Sequence, residues 1–317
     1  MQQDPTIRDD VRRPQVSLFG PDAASPSLPS PAEEWDKEAT KRALDELFSL
    51  THQYRSSKAY NDLLHFIARF RFYAPFNCML VHIQMPGAHF VAPPHRWLRK
   101  YGRRIKAGAR PLVILQPMGP VMFVFDVSDT EGKELPKEVV EPFETRGGRV
   151  GPELEKAVEN AKRDGVSIHG RSLGSQAAGS ICTVGARRGI LKFRDTVVPL
   201  RYELELNDDF SRESRYATVA HELAHLYCGH LGTPNNDWWP DRRGMEQNVE
   251  EFEAESVAYM VCARLGIDNP SEQYLGGYVN AQEDVPPISL ECVMKAAGLI
   301  ESMGRELLKP RKLLGGA

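Results

Sequence analysis

The chain has 317 residues, 41% of them hydrophobic, and a formal net charge of −3, enough to bury two cores and form about two domains. Its five cysteines, Cys78, Cys182, Cys228, Cys262 and Cys292, are scattered, odd in number and without a CxxC pair, which excludes a disulfide framework and points to reduced thiols. The polar start Met1-Gln-Gln-Asp-Pro5 has no apolar secretory core, and the uncharged stretch 72–95 is broken by Pro, His, Gln and Asn, so a cytoplasmic protein with no membrane contact is expected.

Residues 1–34 hold six prolines and several serines with few large apolar groups, the composition of a disordered tail. Helical periodicity follows in 33–54 and 59–73, with a shorter helix over 77–84. The apolar runs 111–115 and 121–127 flank Met118-Gly119-Pro120, the mark of a hairpin in a small sheet. Gly, Pro and charge dominate 129–151, and a linker is placed at 131–151. A helix over 154–163, a strand at 166–169, two or three strands across 180–206, two helices beyond them and an amphipathic helix over 290–308 complete an α+β chain. It divides into a first unit at 35–130 and a second at 152–317.

Between Leu63 and Phe125 there is no Asp or Glu, while Arg69, Arg71, Arg96, Arg99, Lys100, Arg103, Arg104, Lys106 and Arg110 supply nine positive charges. The first unit is thus a cationic island on an acidic chain. Interleaved aromatics (Phe66, Phe70, Phe72, Tyr73, Phe76, Phe90, Trp97, Tyr101) make it a candidate for single-stranded nucleic acid, where cations follow phosphates and rings stack on bases. Phe66, Phe70 and Tyr73 recur at helical spacing and read as core. Trp97 and Tyr101, set among Arg96, Arg99, Lys100, Arg103, Arg104 and Lys106, are the rings expected to meet bases.

The second unit contains His221-Glu222-Leu223-Ala224-His225. Histidines at i and i+4 share one helical face and can converge on one Zn²⁺, and the intervening carboxylate is placed to take a proton from water that the metal activates. Capping residues at 207–211 precede an apolar stripe of Tyr216, Val219, Ala220, Leu223, Ala224 and Tyr227, and Gly229, Gly232 and Pro234 stop the helix. A catalytic zinc usually has a third protein ligand. The acidic start of the next helix offers Glu250, Glu251, Glu253 and Glu255. Glu251 is favoured as ligand, with Glu255 one turn on to orient a zinc histidine. Cys228 reads as packing. Tyr227, His230 and Tyr259 are the candidates for an oxyanion donor, with His230 pointing off the metal face.

The run Thr218 to His225, with Glu250 to Glu255 following, resembles the metallopeptidase domain of the ImmA/IrrE group and of ArdC-type antirestriction proteins, which are gluzincins. The resemblance implies His221, His225 and Glu251 as zinc ligands, Glu222 as general base, and an edge strand at 202–206 just ahead of the motif helix. Asn77, Ile83-Gln-Met-Pro-Gly-Ala88, Trp97 to Arg110, Pro111 to Pro117 and Val124 to Thr130 are similar, in order and spacing, to the single-stranded DNA-binding domain of the ArdC type. Departures fall at Pro93 to Arg96 and Ala107 to Arg110. The expectation is therefore a zinc metallopeptidase with a single-stranded DNA-binding domain, cutting a protein substrate such as a transcriptional repressor. The competing expectation is a DNA-protecting antirestriction protein whose zinc is structural and which cuts nothing. Fold resemblance does not carry substrate identity.

Overall fold

The computed structural model describes residues 54, 56–70, 72–116, 119–135, 148–173, 178–185, 189–267, 271, 275 and 284–311. The tail expected at 1–34, nearly all of the helix expected over 33–54, and the linker's middle lie outside these residues.

In the first half, helix α1 (Ser57–Arg69) starts where the Ser56 side chain accepts from the Ala59 amide, and α2 (Pro75–Gln84) starts with a proline in its first turn. Strand β1 (Val91–Ala92) and helix α3 (Pro94–Tyr101) follow. Gly102 adopts the left-handed conformation at φ 62° that ends α3. Strands β2 (Arg103–Ile105), β3 (Leu112–Gln116), β4 (Gly119–Asp126) and β5 (Thr130–Gly132) complete this half. They form a sheet of order β1-β4-β3 and a β2–β5 pair. The expected hairpin is β3–β4.

The outer edge of β3 is closed by side chains. Asn77 exchanges two hydrogen bonds with the backbone of Leu115, and Gln84 exchanges two with that of Val113. Two amides on one helix thus replace a missing strand and blunt an edge open to pairing.

The second half contains α4 (Glu153–Ala161), β6 (Val166–Arg171), β7 (Gly179–Thr183), β8 (Ile190–Phe193), β9 (Thr196–Pro199), β10 (Tyr202–Asn207), α5 (Arg212–Tyr227), α6 (Gln247–Leu265) and α7 (Leu290–Arg305). The architecture is α+β with small sheets. In the sheet of order β6-β10-β7, β10 runs parallel to β6 and antiparallel to β7. This corrects the expectation that 202–206 is an edge strand. Both of its sides are bonded, and the edges of this sheet are β6 and β7.

One main core spans both halves. Leu63, Leu64 and Ile67 of α1 and Met79 and Leu80 of α2 join Val219 and Leu223 of α5, Phe252 and Met260 of α6, and Ile300 of α7. A smaller cluster of Phe90, Ala92, Trp97 and Tyr101 packs under α3. The buried Arg264 of α6 ties the halves together. Its guanidinium donates to the carbonyls of Ile67, Phe70 and Tyr73 at 2.6–2.8 Å and pairs with Glu301 of α7. The Ile67 carbonyl also accepts from the capping Phe70 amide, and the Phe70 carbonyl from the Tyr73 amide and the Cys78 thiol, so the cation uses their spare lone pairs and suits the dipole at the end of α1.

Replacing Arg264 with Leu takes one bond from each of those carbonyls and leaves Glu301 with the more distant Arg305, at 3.5 Å. Loss of one member of a buried pair costs about 3–5 kcal/mol, and Arg305 moves the expected value toward the low end. Urea unfolding of the variant measures it, and an unchanged midpoint would contradict this account.

Candidate metal centre

Helix α5 forms because Ser211 caps it, its side chain accepting from the Ser214 amide at 3.2 Å, and because Tyr216, Val219, Ala220, Leu223, Ala224 and Tyr227 bury one side. His221 and His225 flank that buried stripe and turn toward α6. Their Nε2 atoms lie 3.2 Å apart. Glu251, on the first turns of α6, puts one carboxylate oxygen 3.5 Å from His221 Nε2 and the other 3.8 Å from His225 Nε2. Zinc holds N and O donors at about 2.0–2.1 Å, which for a tetrahedral ion places neighbouring donors about 3.4 Å apart. The three groups fit that requirement, with one donor atom from each lying within 4.8 Å of the other two.

The groups differ electrostatically. Burial works against the charged form of His221, but the Glu251 hydrogen bond, Glu255 and Glu222 outweigh it and raise its pKa above the usual imidazole value. Burial, with His221 beside it, pushes His225 down to about 4. The contact with His221 draws Glu251 below the ordinary carboxylate range. Burial raises Glu222, which receives a hydrogen bond from the Ile181 amide of β7.

Glu255 lies with one oxygen 3.5 Å from His221 Nδ1, on the ring face away from the cluster. Glu250 takes part in no ion pair among the described residues, and Glu253 faces the other way. There, wholly buried, Glu253 accepts from both terminal nitrogens of Arg242 at 2.6 and 2.7 Å and from the Ser289 amide at 2.6 Å, and contacts His230 Nε2 at 2.9 Å. His230 in turn places Nδ1 3.0 Å from His225 Nδ1. Gly229 makes this possible: at φ 91° it turns the chain sharply after α5, and a side chain there would strike the Pro240 carbonyl.

Helical geometry alone sends residue i+5 off the metal face, which is why His230 stands out so little in the sequence. The signal that finds it is Gly229, which breaks that geometry one residue earlier. Cys228, His230 and Glu253 form a second group of potential metal donors. Arg242 already occupies the place a cation would take beside Glu253, and burial raises the Cys228 thiol well above its usual range.

The three oxyanion candidates have other partners. The Tyr227 hydroxyl donates to the buried Asp164 at 3.0 Å, Tyr259 pairs with His65 at 2.9 Å, and His230 sits behind His225.

In the first half, Trp97 is fully buried with its indole N–H donating to the Phe125 carbonyl at 2.9 Å, and Tyr101 is 7% exposed. These rings are core, which corrects the expectation that they meet bases. Spacing of i and i+4 on α3 is the signal, masked by the surrounding charges. Arg103 donates to Thr130, and Lys106 donates to the Ser128 carbonyl. Arg104 lies opposite Glu131 in the β2–β5 register, so the fold brings an acid to the cationic stretch. Arg96 is half-buried, while Arg99, Lys100 and Arg110 project into solvent. Phe72, edge-on to Phe90, is 61% exposed, and Phe123 of β4 is exposed as well.

Comparison of the chain with known protein families, with curated proteins and with solved structures finds no match. Among the described residues no helix is long and apolar enough to cross a membrane.

Metal affinity should follow the His221 proton. Below its raised pKa His221 carries a proton that zinc has to displace, so affinity rises with pH by up to about tenfold per unit until the ring is neutral, then levels off. His225 adds no slope there, being neutral down to about 4. Chelator competition across about pH 6 to 8.5 checks this, and a flat profile would contradict it.

Proposed function

We propose that the protein is a zinc-dependent peptidase of the gluzincin type, similar in plan to the ArdC group, and that its first half carries a surface for single-stranded DNA. The observation that carries the reading is the convergence of His221, His225 and Glu251, with Glu222 held beside them at the edge of β7. Bound zinc would be held by those three side chains and would supply Lewis acidity, lowering the pKa of water and polarising a carbonyl. Glu222 accepts the proton of the attacking water and passes it to the leaving amine. Its burial-raised pKa suits both steps.

A peptide can be positioned by β7. The ladder bonds Val184 N–H to Arg201 C=O and Asn207 N–H to Ala178 C=O turn residues 178 and 184, and by alternation 180 and 182, toward β10. The amides of Gly179, Ile181 and Thr183 therefore point away from the sheet, toward any strand added there. The edge strand lies beside Glu222, so an added peptide runs past the general base.

Glu222→Gln should fold and retain about one zinc, yet lose about 10²–10⁴-fold in cleavage of a mixed peptide library read by mass spectrometry. His221→Ala should lose the zinc. Thr183→Pro removes one outward amide at a position an edge strand tolerates and should raise KM more than it lowers kcat. Undiminished cleavage by Glu222→Gln would overturn the peptidase reading and leave the zinc structural, as in the competing DNA-protection reading.

The exposed Arg99, Lys100, Arg110 and Phe72 support nucleic-acid binding. Changing the three cations together to Gln should weaken binding to an oligo-dT strand and reduce the slope of log K against log salt by about 0.7 per lost contact. An unchanged slope would remove this surface from the proposal.

A further inference from the structure

We infer that His230, backed by Glu253 and Arg242, is a positioning residue that fixes the tautomer of His225 and aims its ring at the metal, an inference resting on the zinc reading above. Ionised Glu253 is only an acceptor, and its oxygen lies 2.9 Å from His230 Nε2, so that nitrogen bears the proton. In its neutral form, His230 then offers Nδ1 as an acceptor. That atom stands 3.0 Å from His225 Nδ1, which must therefore donate. His225 is left with its lone pair on Nε2, the atom facing His221 and Glu251.

Nothing in this chain has freedom to reverse. The fork of Arg242 fills both oxygens of Glu253, and the Ser289 amide takes a further lone pair. Arg242 is itself anchored by donating to the Cys228 carbonyl at 3.0 Å, and its own amide donates to Gly229. The side chains of His230 and Glu253 are 1% and 0% exposed, so water does not compete. The partner of His221, by contrast, is the more open Glu255, 3.5 Å away. The two zinc histidines are thus held unequally, His225 by a buried train of charge-assisted bonds and His221 by a single solvent-touched carboxylate.

The test uses the full-length protein and three readouts: zinc affinity by chelator competition, the visible spectrum of the cobalt(II)-loaded form, and urea unfolding of the metal-free form. His230→Phe should weaken zinc binding by about 10–100-fold and move the cobalt bands. His230→Gln, which keeps a donor and an acceptor, should recover much of the affinity. Arg242→Lys, which keeps the charge but loses the fork, should shift affinity in the same direction and serves if the Phe variant does not fold. The inference is overturned if His230→Phe holds zinc as tightly as the parent, or if Phe and Gln lose affinity equally and in step with their metal-free unfolding midpoints. Two zinc ions in the parent and one in His230→Phe would also overturn it, assigning Cys228, His230 and Glu253 to a second metal site. A parent protein that takes up no zinc removes the metal reading itself, and this inference with it.

Discussion

The packing of α5 on α6 is the constraint from which the rest follows. Each helix buries an apolar stripe, and the two stripes share one core. Beside that seam, two imidazoles from α5 and a carboxylate from α6 meet within four ångströms. Grouping such donors against an apolar wall is unfavourable unless something compensates each of them. Each has its own partner here. Glu251 and Glu255 attend His221, His230 attends His225, and the Ile181 amide attends Glu222.

Helix α6 is fixed from behind by two guanidiniums, Arg264 buried and Arg242 half-buried, that it needs for different reasons. Near its start, Arg242 neutralises Glu253. Near its end, Arg264 reaches into the first half and gathers the carbonyls that close α1. Between these anchors lie Glu251 and Glu255, so the carboxylates that face α5 sit on a rod held at both ends. Buried ion pairs contribute less to stability than their Coulomb attraction suggests, but removing one partner is costly. Their consequence here is placement. A helix pinned by forked, directional bonds has little latitude to rotate its carboxylates away from the imidazoles.

Much of this was legible in the residues. The i, i+4 histidines, the capping serine and the apolar stripe of α5 each state a local rule, and local rules survive folding. The choice of Glu251 among four carboxylates followed from pairing it with Glu255 at one-turn spacing. What escaped depended on distant partners. His230 acquires its place from a glycine turn and from Glu253, 23 residues further on. The rank of β10 as a central strand depends on β6 and β7 flanking it, which its own alternation of apolar and polar residues cannot report. Trp97 and Tyr101 were misjudged because eight residues rich in Arg and Lys conceal a short helix whose one apolar face is buried. The acid-free stretch 63–125 likewise says nothing of Glu131, which strand pairing sets opposite Arg104.

The correction at the sheet has a chemical consequence. With β10 central, the strand nearest Glu222 is β7, and the Ile181 amide that Glu222 accepts from is one of the three that point out of the sheet. A peptide strand pairing with β7 seeks that same N–H for its own carbonyl. Glu222 and an incoming backbone thus compete for one donor. Losing the Ile181 hydrogen bond removes an interaction that favours the carboxylate over the acid, so a peptide bound at β7 as proposed would push Glu222 further in the direction its burial already drives it. On the proposed peptidase reading, Glu222 would gain proton affinity as a backbone arrives beside it, and the edge strand would link recognition to chemistry through a single amide.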